Sequence, residues 1–173
     1  MKLYWVRHGE SEHNKLNIWN DDPSKKFPLT KKGKEQANFL ANKLKEINID
    51  IIFTSEFFRT KQTAEIINKF HNVSMVENKL INERKAGYDG KPFFEILPLL
   101  RKDILGEGGE TIEEFKKRVC RFIENIKSKR YKSITIVSHE AVLQVVNGVI
   151  NNLSNEELRK QHIEYTDIIE QEI

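Results

Sequence analysis

Short β-branched runs alternate along this chain with stretches whose apolar residues recur at helical spacing, and that alternation limits the fold more than any other feature. Lys2–Val6, Asp50–Thr54, Val73–Val76 and Ser133–Ser138 read as strands. Between them, Thr30 caps a helix with Ala37, Leu40, Ala41, Leu44 and Ile47 on one stripe, and a second helical pattern runs from Thr60 through Ala64, Ile67 and Phe70. Thr111-x-x-Glu114 is a capping box ahead of Ile112, Phe115, Val119, Phe122 and Ile126. Ala141–Ile150 reads as a helix, Ser154-x-x-Glu157 caps another, and the tail from Ile163 to Ile169 reads as a last strand. Strands alternating with helices of this length predict an α/β fold, a three-layer α/β/α sandwich around a mostly parallel central sheet. The stretch 78–110 breaks the rhythm with five of the eight glycines, two of the four prolines and one helical segment, Phe93–Leu100. It is expected to form a short cap insertion in one domain spanning 1–173.

Composition removes several classes. A length of 173 residues suits one domain with a substantial core. Apolar residues at 38% and charged residues at 32% exclude collagen-like, low-complexity and disordered chains. The net charge of +3 gives no footprint for nucleic acid, and Lys25-Lys26, Lys31-Lys32-Lys34 and Lys116-Lys117 read as solubilising surface. No apolar run approaches the ~18 residues a membrane span needs, and no secretory signal opens the chain. Cys120 is the only cysteine, so neither an intrachain disulfide nor a thiolate metal cage can form. The expectation is a cytoplasmic protein, monomer or homodimer, with no nucleic-acid or membrane partner.

Parallel sheets bind ligands beyond the carboxyl ends of their strands. Arg7-His8 follow the first strand, Ser55 to Arg59 the second, and His139 the Ser133–Ser138 strand. One crevice thus receives two arginines and two histidines, in a chain with 8 Arg against 21 Lys. Guanidinium forks match a tetrahedral oxyanion and stay charged. Two imidazoles can bind a metal, move protons, or supply a nucleophile and an oxyanion donor. The metal reading is the poorer one, because the arginines repel a cation and no carboxylate lies at ligand spacing from either histidine. Phosphoryl transfer suits the set better: neutral imidazole attacks phosphorus while the arginines hold the equatorial oxygens. The leaving alkoxide also needs a proton. Glu83, Asp89, Glu95, Glu107 and Glu110 in the irregular stretch can all supply it, and the residues alone do not choose.

Six segments in order resemble the histidine phosphatase superfamily, in its phosphoglycerate mutase-like branch. They are Val6-Arg7-His8-Gly9-Glu10-Ser11-Glu12-x-Asn14, Pro28-Leu29-Thr30-x-x-Gly33-x-x-Gln36-Ala37, Thr54-Ser55-x-Phe57-x-Arg59-Thr60-x-Gln62-Thr63-Ala64, Leu80-x-Asn82-Glu83-x-x-x-Gly87-Tyr88-x-Gly90, Gly108-Gly109-Glu110-Thr111 with Arg118 beyond it, and Ile136-Val137-Ser138-His139. The resemblance covers roughly residues 2–150, and the order of the motifs is far more specific than any one of them. It implies that His8 is the nucleophile forming a phosphohistidine, that Arg7, Arg59 and His139 surround the phosphoryl oxygens with Asn14, and that Glu83 is the acid. It implies Ser11 and Glu110 as further members of the site.

The chain departs from the family pattern after the second histidine, where Glu140-Ala141 replaces the usual Gly-Gly. The longer inserts of phosphoglycerate mutases are absent, and 17–27 does not resemble their substrate loop. The resulting expectation is a metal-independent phosphomonoesterase, needing no cofactor, that acts on a small phosphorylated metabolite and resembles the α-ribazole phosphatases in size. Two alternatives stand beside it: a cofactor-dependent phosphoglycerate mutase, and a non-catalytic module that binds phosphorylated ligands. His13, His71, His162 and Cys120 are given no part, while Trp19, Tyr88 and Phe93 are candidates to line the mouth.

Overall fold

Five of the six residues of β1 (Lys2–Arg7) are buried, as is every residue of β2 (Ile51–Thr54) and β4 (Ser133–Ser138), in a computed structural model that describes residues 1–173. Strands this dry must be covered on both faces. The sheet runs β3 (Met75–Glu77), β2, β4, β1, β5 (Ile168–Glu172). All neighbouring pairs are parallel except β1 with β5.

Alternation along each strand assigns the two faces. Leu3, Trp5, Phe53, Ile134 and Ile136 pack with α5 (Ile112–Lys127) and α6 (Glu140–Asn151). Tyr4, Val6, Ile52 and Val137 point the other way, onto α2 (Lys31–Leu44) and α3 (Phe58–Asn68). Phe122 meets the rings of both Trp5 and Phe53 edge-on, at 5.7 and 5.4 Å, and each such pair adds about 0.5–1.5 kcal/mol beyond burial. The remaining helices are a single turn, α1 (Glu12–Lys15), then α4 (Phe93–Arg101) and α7 (Asn155–Lys160).

The predicted fold class is the observed one. The last strand, however, starts at Ile168, not Ile163. Ile163 is buried as an anchor, its carbonyl accepting from Arg7 Nη1, and the chain then turns through Thr166 in the left-handed region before pairing with β1. Ile47 and Phe70 lie just past the ends of α2 and α3, and the third strand begins two residues later than expected.

Two glycines fix the loop after β1. A Cβ on Gly9 would meet the Gly33 carbonyl oxygen at 2.4 Å, and one on Gly33 would meet the Glu10 carbonyl oxygen at 1.9 Å. The backbone after β1 therefore lies directly on the first turn of α2, and only glycine permits the approach.

Candidate active site

Because β1, β2 and β4 are parallel neighbours, their carboxyl ends open on one side of the sheet. His8 follows β1, Ser55 follows β2 and His139 follows β4. The backbone joins them: His8 N–H donates to the Ser138 carbonyl at 3.0 Å and Ser55 N–H to the Val137 carbonyl at 3.3 Å.

Both histidines have their tautomers set by partners that can act in only one way. His8 Nδ1 lies 2.7 Å from the Gly9 carbonyl, which only accepts, so Nδ1 carries the proton. Its Nε2 accepts from Arg59 Nε at 3.1 Å and so presents a lone pair. His139 Nδ1 accepts from Arg59 Nη2 at 3.2 Å, which leaves its Nε2–H to donate to Ser55 Oγ at 2.8 Å. Burial, with the Arg59 and Arg7 guanidiniums behind it, holds His8 well below the usual imidazole range. Burial and then Arg59 do the same to His139. Both rings are neutral at pH 7, 5.2 Å apart and edge to face.

Arg59 is itself buried against the Phe57 ring, and that burial pulls its guanidinium down to about 9. Its Nη1 donates to Asn20 Oδ1 at 2.6 Å. Arg7 lies over the Tyr165 ring and pairs through Nη2 with Glu140 Oε2 at 3.0 Å, while its buried Nε has no partner. Glu140 adopts no left-handed backbone, so the departure from Gly-Gly is sterically free here.

Glu83 Oε2 stands 3.8 Å from His139 Nδ1, and its Oε1 accepts from the Arg84 N–H at 2.9 Å. Burial raises the Glu83 carboxyl, and the neighbouring Glu140 charge adds to that; Arg59 and the Arg84 N–H pull the other way. Its loop is held by Arg118, which donates to the carbonyls of Leu80, Asn82 and Glu83 at 2.9 Å each. Glu110 grips Arg118 with both carboxylate oxygens, at 2.5 and 2.8 Å.

Arg7, His8, Arg59, Glu83 and His139 are thus brought together, and Asn14 lines the same cavity. Arg59 and His139 sit buried behind that lining, and Ser11 and Glu110 are not in it either. Ser11 closes a three-membered ring of hydrogen bonds: Asn14 Nδ2 donates to His13 Nε2 (3.0 Å), His13 Nδ1 to Ser11 Oγ (2.6 Å), and Ser11 Oγ to Asn14 Oδ1 (3.0 Å). His13, pulled to about 2 by burial and then by Arg59 and Arg7, stays neutral inside that ring.

Several residues of the site were given no role by the sequence alone. Asn20 holds Arg59 and donates on to Asp89 Oδ1 at 3.0 Å. Asp21 Oδ2 accepts from Trp19 Nε1 and from the amides of Ala86 and Gly87. Ser55 orients His139, and Tyr165 supports Arg7. None of them sits in a periodic pattern, and only Ser55 lies in a recognisable motif.

The cavity has a volume of about 860 Å³ and reaches from His8 and Glu83 past Trp19, Phe93 and Leu97 to α7. Trp19 and Phe93 stack in parallel at 5.9 Å on its wall. No group of three or more His, Cys, Asp or Glu converges as a metal site, and no helix is long and apolar enough to cross a membrane.

The family model for the histidine phosphatase superfamily (branch 1) matches residues 3–173. The chain belongs to that superfamily. As a histidine phosphatase it is a phosphoric monoester hydrolase acting on a small phosphorylated metabolite. A relative in Hydrogenobacter thermophilus named "Putative phosphoserine phosphatase 2" is 30% identical, over 98% of this chain and 88% of its own length. Phosphoserine phosphatase 1 of the same organism is 27% identical over 84% of this chain and 74% of its own. Among solved structures, the α-ribazole phosphatase of Shigella flexneri superposes with a TM-score of 0.87 at 24% identity, covering 100% of this chain and 91% of that one, a likeness of fold.

Proposed function

We propose that this phosphatase works without a metal, through a phosphohistidine on His8. The observation that carries the reading is the His8 tautomer: Nδ1–H is committed to the Gly9 carbonyl, so the lone pair is on Nε2, held by the Arg59 Nε–H alone, on a ring that lines the cavity. The substrate's phosphoryl group takes the Arg59 Nε–H away from His8 and lies between Arg7, Arg59, His139 and Asn14. His8 Nε2 then forms a bond to phosphorus as the ester P–O bond breaks. The positive charge this creates on the imidazole rests on the Gly9 carbonyl and the phosphoryl oxygens. Glu83, whose carboxyl burial raises above the ordinary glutamate value, gives its proton to the departing alkoxide. In the second half, Glu83 takes a proton from water as the water oxygen attacks phosphorus, the N–P bond breaks, and phosphate leaves with His8 neutral again.

Ser11 and Glu110 act from behind, Ser11 by fixing Asn14 and Glu110 by fixing Arg118 and so the Glu83 loop. In the same reading, 78–110 is a cap on one domain, and the enzyme works in the cytoplasm as a monomer or homodimer. The relatives named for phosphoserine fit a small alkyl ester.

The test is hydrolysis of p-nitrophenyl phosphate in excess EDTA, beside His8→Ala, with acid quenching to trap labelled enzyme. Activity that survives chelation, is lost in the variant, and leaves an acid-labile, base-stable phosphoenzyme is the expected result. Loss of activity in EDTA, restored by a divalent cation, overturns the metal-free route.

A further inference from the structure

The Arg7–Glu140 pair presents a problem of charge that the phosphatase reading leaves open. Glu140 lines the same cavity as His8 and Glu83, and its Oε2 is paired with Arg7 Nη2 at 3.0 Å. Its other oxygen accepts from His162 Nδ1 at 3.0 Å and from the Ile163 N–H at 3.3 Å. Arg7 is therefore already engaged, by Glu140 and by the Ile163 carbonyl, before any substrate arrives. A phosphoryl dianion that draws on Arg7 weakens the only permanent cation within ion-pair distance of Glu140. It also sets two like charges beside one another in a half-enclosed site, a costly arrangement unless a new cation arrives. The protein holds one group that could answer, His162, but that side chain is two-thirds exposed and already shared with Glu164 at 3.0 Å.

We infer that Glu140 is a specificity-determining residue, and that the enzyme prefers phosphomonoesters whose leaving group carries an ammonium close to the ester oxygen. This rests on the phosphatase reading and narrows its substrate class. The phosphate takes Arg7 and the ammonium takes Glu140, so the ion pair of the free enzyme is exchanged for two pairs with the substrate. A leaving group with a carboxylate and no ammonium places a third negative charge beside Glu140 and is rejected. The other carboxyl on this part of the wall, Glu83, is committed to proton donation and does not compete for the cation.

The experiment is a matched set of esters of equal length: 2-aminoethyl phosphate, n-propyl phosphate and phosphoglycolate, at about pH 7.5, where the amine is protonated. In the wild-type enzyme kcat/KM for the aminoethyl ester should exceed that for the propyl ester by about ten- to a hundred-fold, the factor a charge-assisted hydrogen bond makes. Glu140→Gln keeps the shape and should bring that ratio close to one, while improving phosphoglycolate relative to propyl phosphate. Ratios within one protein are compared, so a general loss from an unlatched Arg7 does not enter. A wild-type ratio at or below one, as when His162 supplies the missing charge, overturns the inference. So does a ratio that Glu140→Gln leaves unchanged. The same pair is titrated calorimetrically into His8→Ala. If no ester is turned over, the phosphatase reading fails, and the ratio of Kd values in that variant still decides whether Glu140 selects the ammonium.

Discussion

Replacing Glu83 by glutamine should separate the proton donor from everything else in the site. The ordinary values are 4.5 for a glutamate and 6.5 for a histidine. With those values, a pair sharing one proton keeps it on the imidazole by about a hundred to one, and the nucleophile is disabled. The fold works against that order: burial lifts Glu83 and, with Arg59 and Arg7, lowers His8. The active form, acid protonated and imidazole neutral, is thereby enriched over the share of roughly one in a hundred that the ordinary values would leave it. Positioned general acids contribute about 10²–10⁴ in rate. Glu83→Gln should therefore lower kcat/KM on an alkyl phosphate by about 10²–10⁴, and on p-nitrophenyl phosphate by no more than about ten-fold, since nitrophenolate leaves without a proton. The pH profile carries a second signature. Rate falls as pH rises through the raised Glu83 value and as pH falls through the lowered His8 value. The variant should lose the alkaline limb and keep the acid one. Equal losses on both esters, or an alkaline limb that persists in Glu83→Gln, would refute the assignment.

Acid should destabilise the fold early. His8, His13 and His139 are all lowered in the native state, so their neutral forms are favoured by folding. That stability is complete above about pH 6.5 and drains away below it. His13 alone, at about 2, withdraws about 2 kcal/mol by about pH 5, and a urea midpoint that does not drop between about pH 7 and pH 5 would contradict this. Gly33→Ala forces a Cβ into the Glu10 carbonyl and should cost about 3 kcal/mol or more; thermal unfolding measures it, and a neutral result would mean the loop after β1 is free to move. Arg118→Lys keeps the charge but cannot reach three carbonyls and a carboxylate at once. It should slow alkyl esters by about 10²-fold, with a smaller effect on p-nitrophenyl phosphate, because it misplaces the proton donor and leaves His8 alone.

The layered fold could be read from the chain because periodicity reports it directly. Leu3, Trp5 and Tyr4, Val6 divide between two faces, and the stripe from Ile112 to Ile126 faces one of them. Strand ends then pointed to Arg7, His8, Arg59 and His139 without further help, since a parallel sheet gathers its carboxyl ends. Glu83 was different. The five candidate acids in 78–110 were equivalent on residue type, and only the motif resemblance singled one out, because a loop has no period to fix its direction. Asn20 and Asp21 were invisible for the same reason, and Asp89 stood out only as a candidate acid: their work is to tie two irregular segments, 19–22 and 86–89, whose proximity no local pattern encodes. Ile163 misled because a buried isoleucine beside a strand looks like part of it.

The tie between those two segments bears on any attempt to exchange parts among related enzymes. Asp89 Oδ1 takes donors from Asn20 Nδ2 and from the amides of Asp21 and Asp22, while Asp21 returns the bond to Ala86 and Gly87. Since Asn20 also holds Arg59, a foreign 78–110 segment grafted onto this scaffold without its own partner for Asn20 would disturb the arginine proposed to hold the phosphoryl group. The two stretches are one transplantable unit, separated in the chain by α2, β2, α3 and β3, and inheritance of a new specificity would have to move both together.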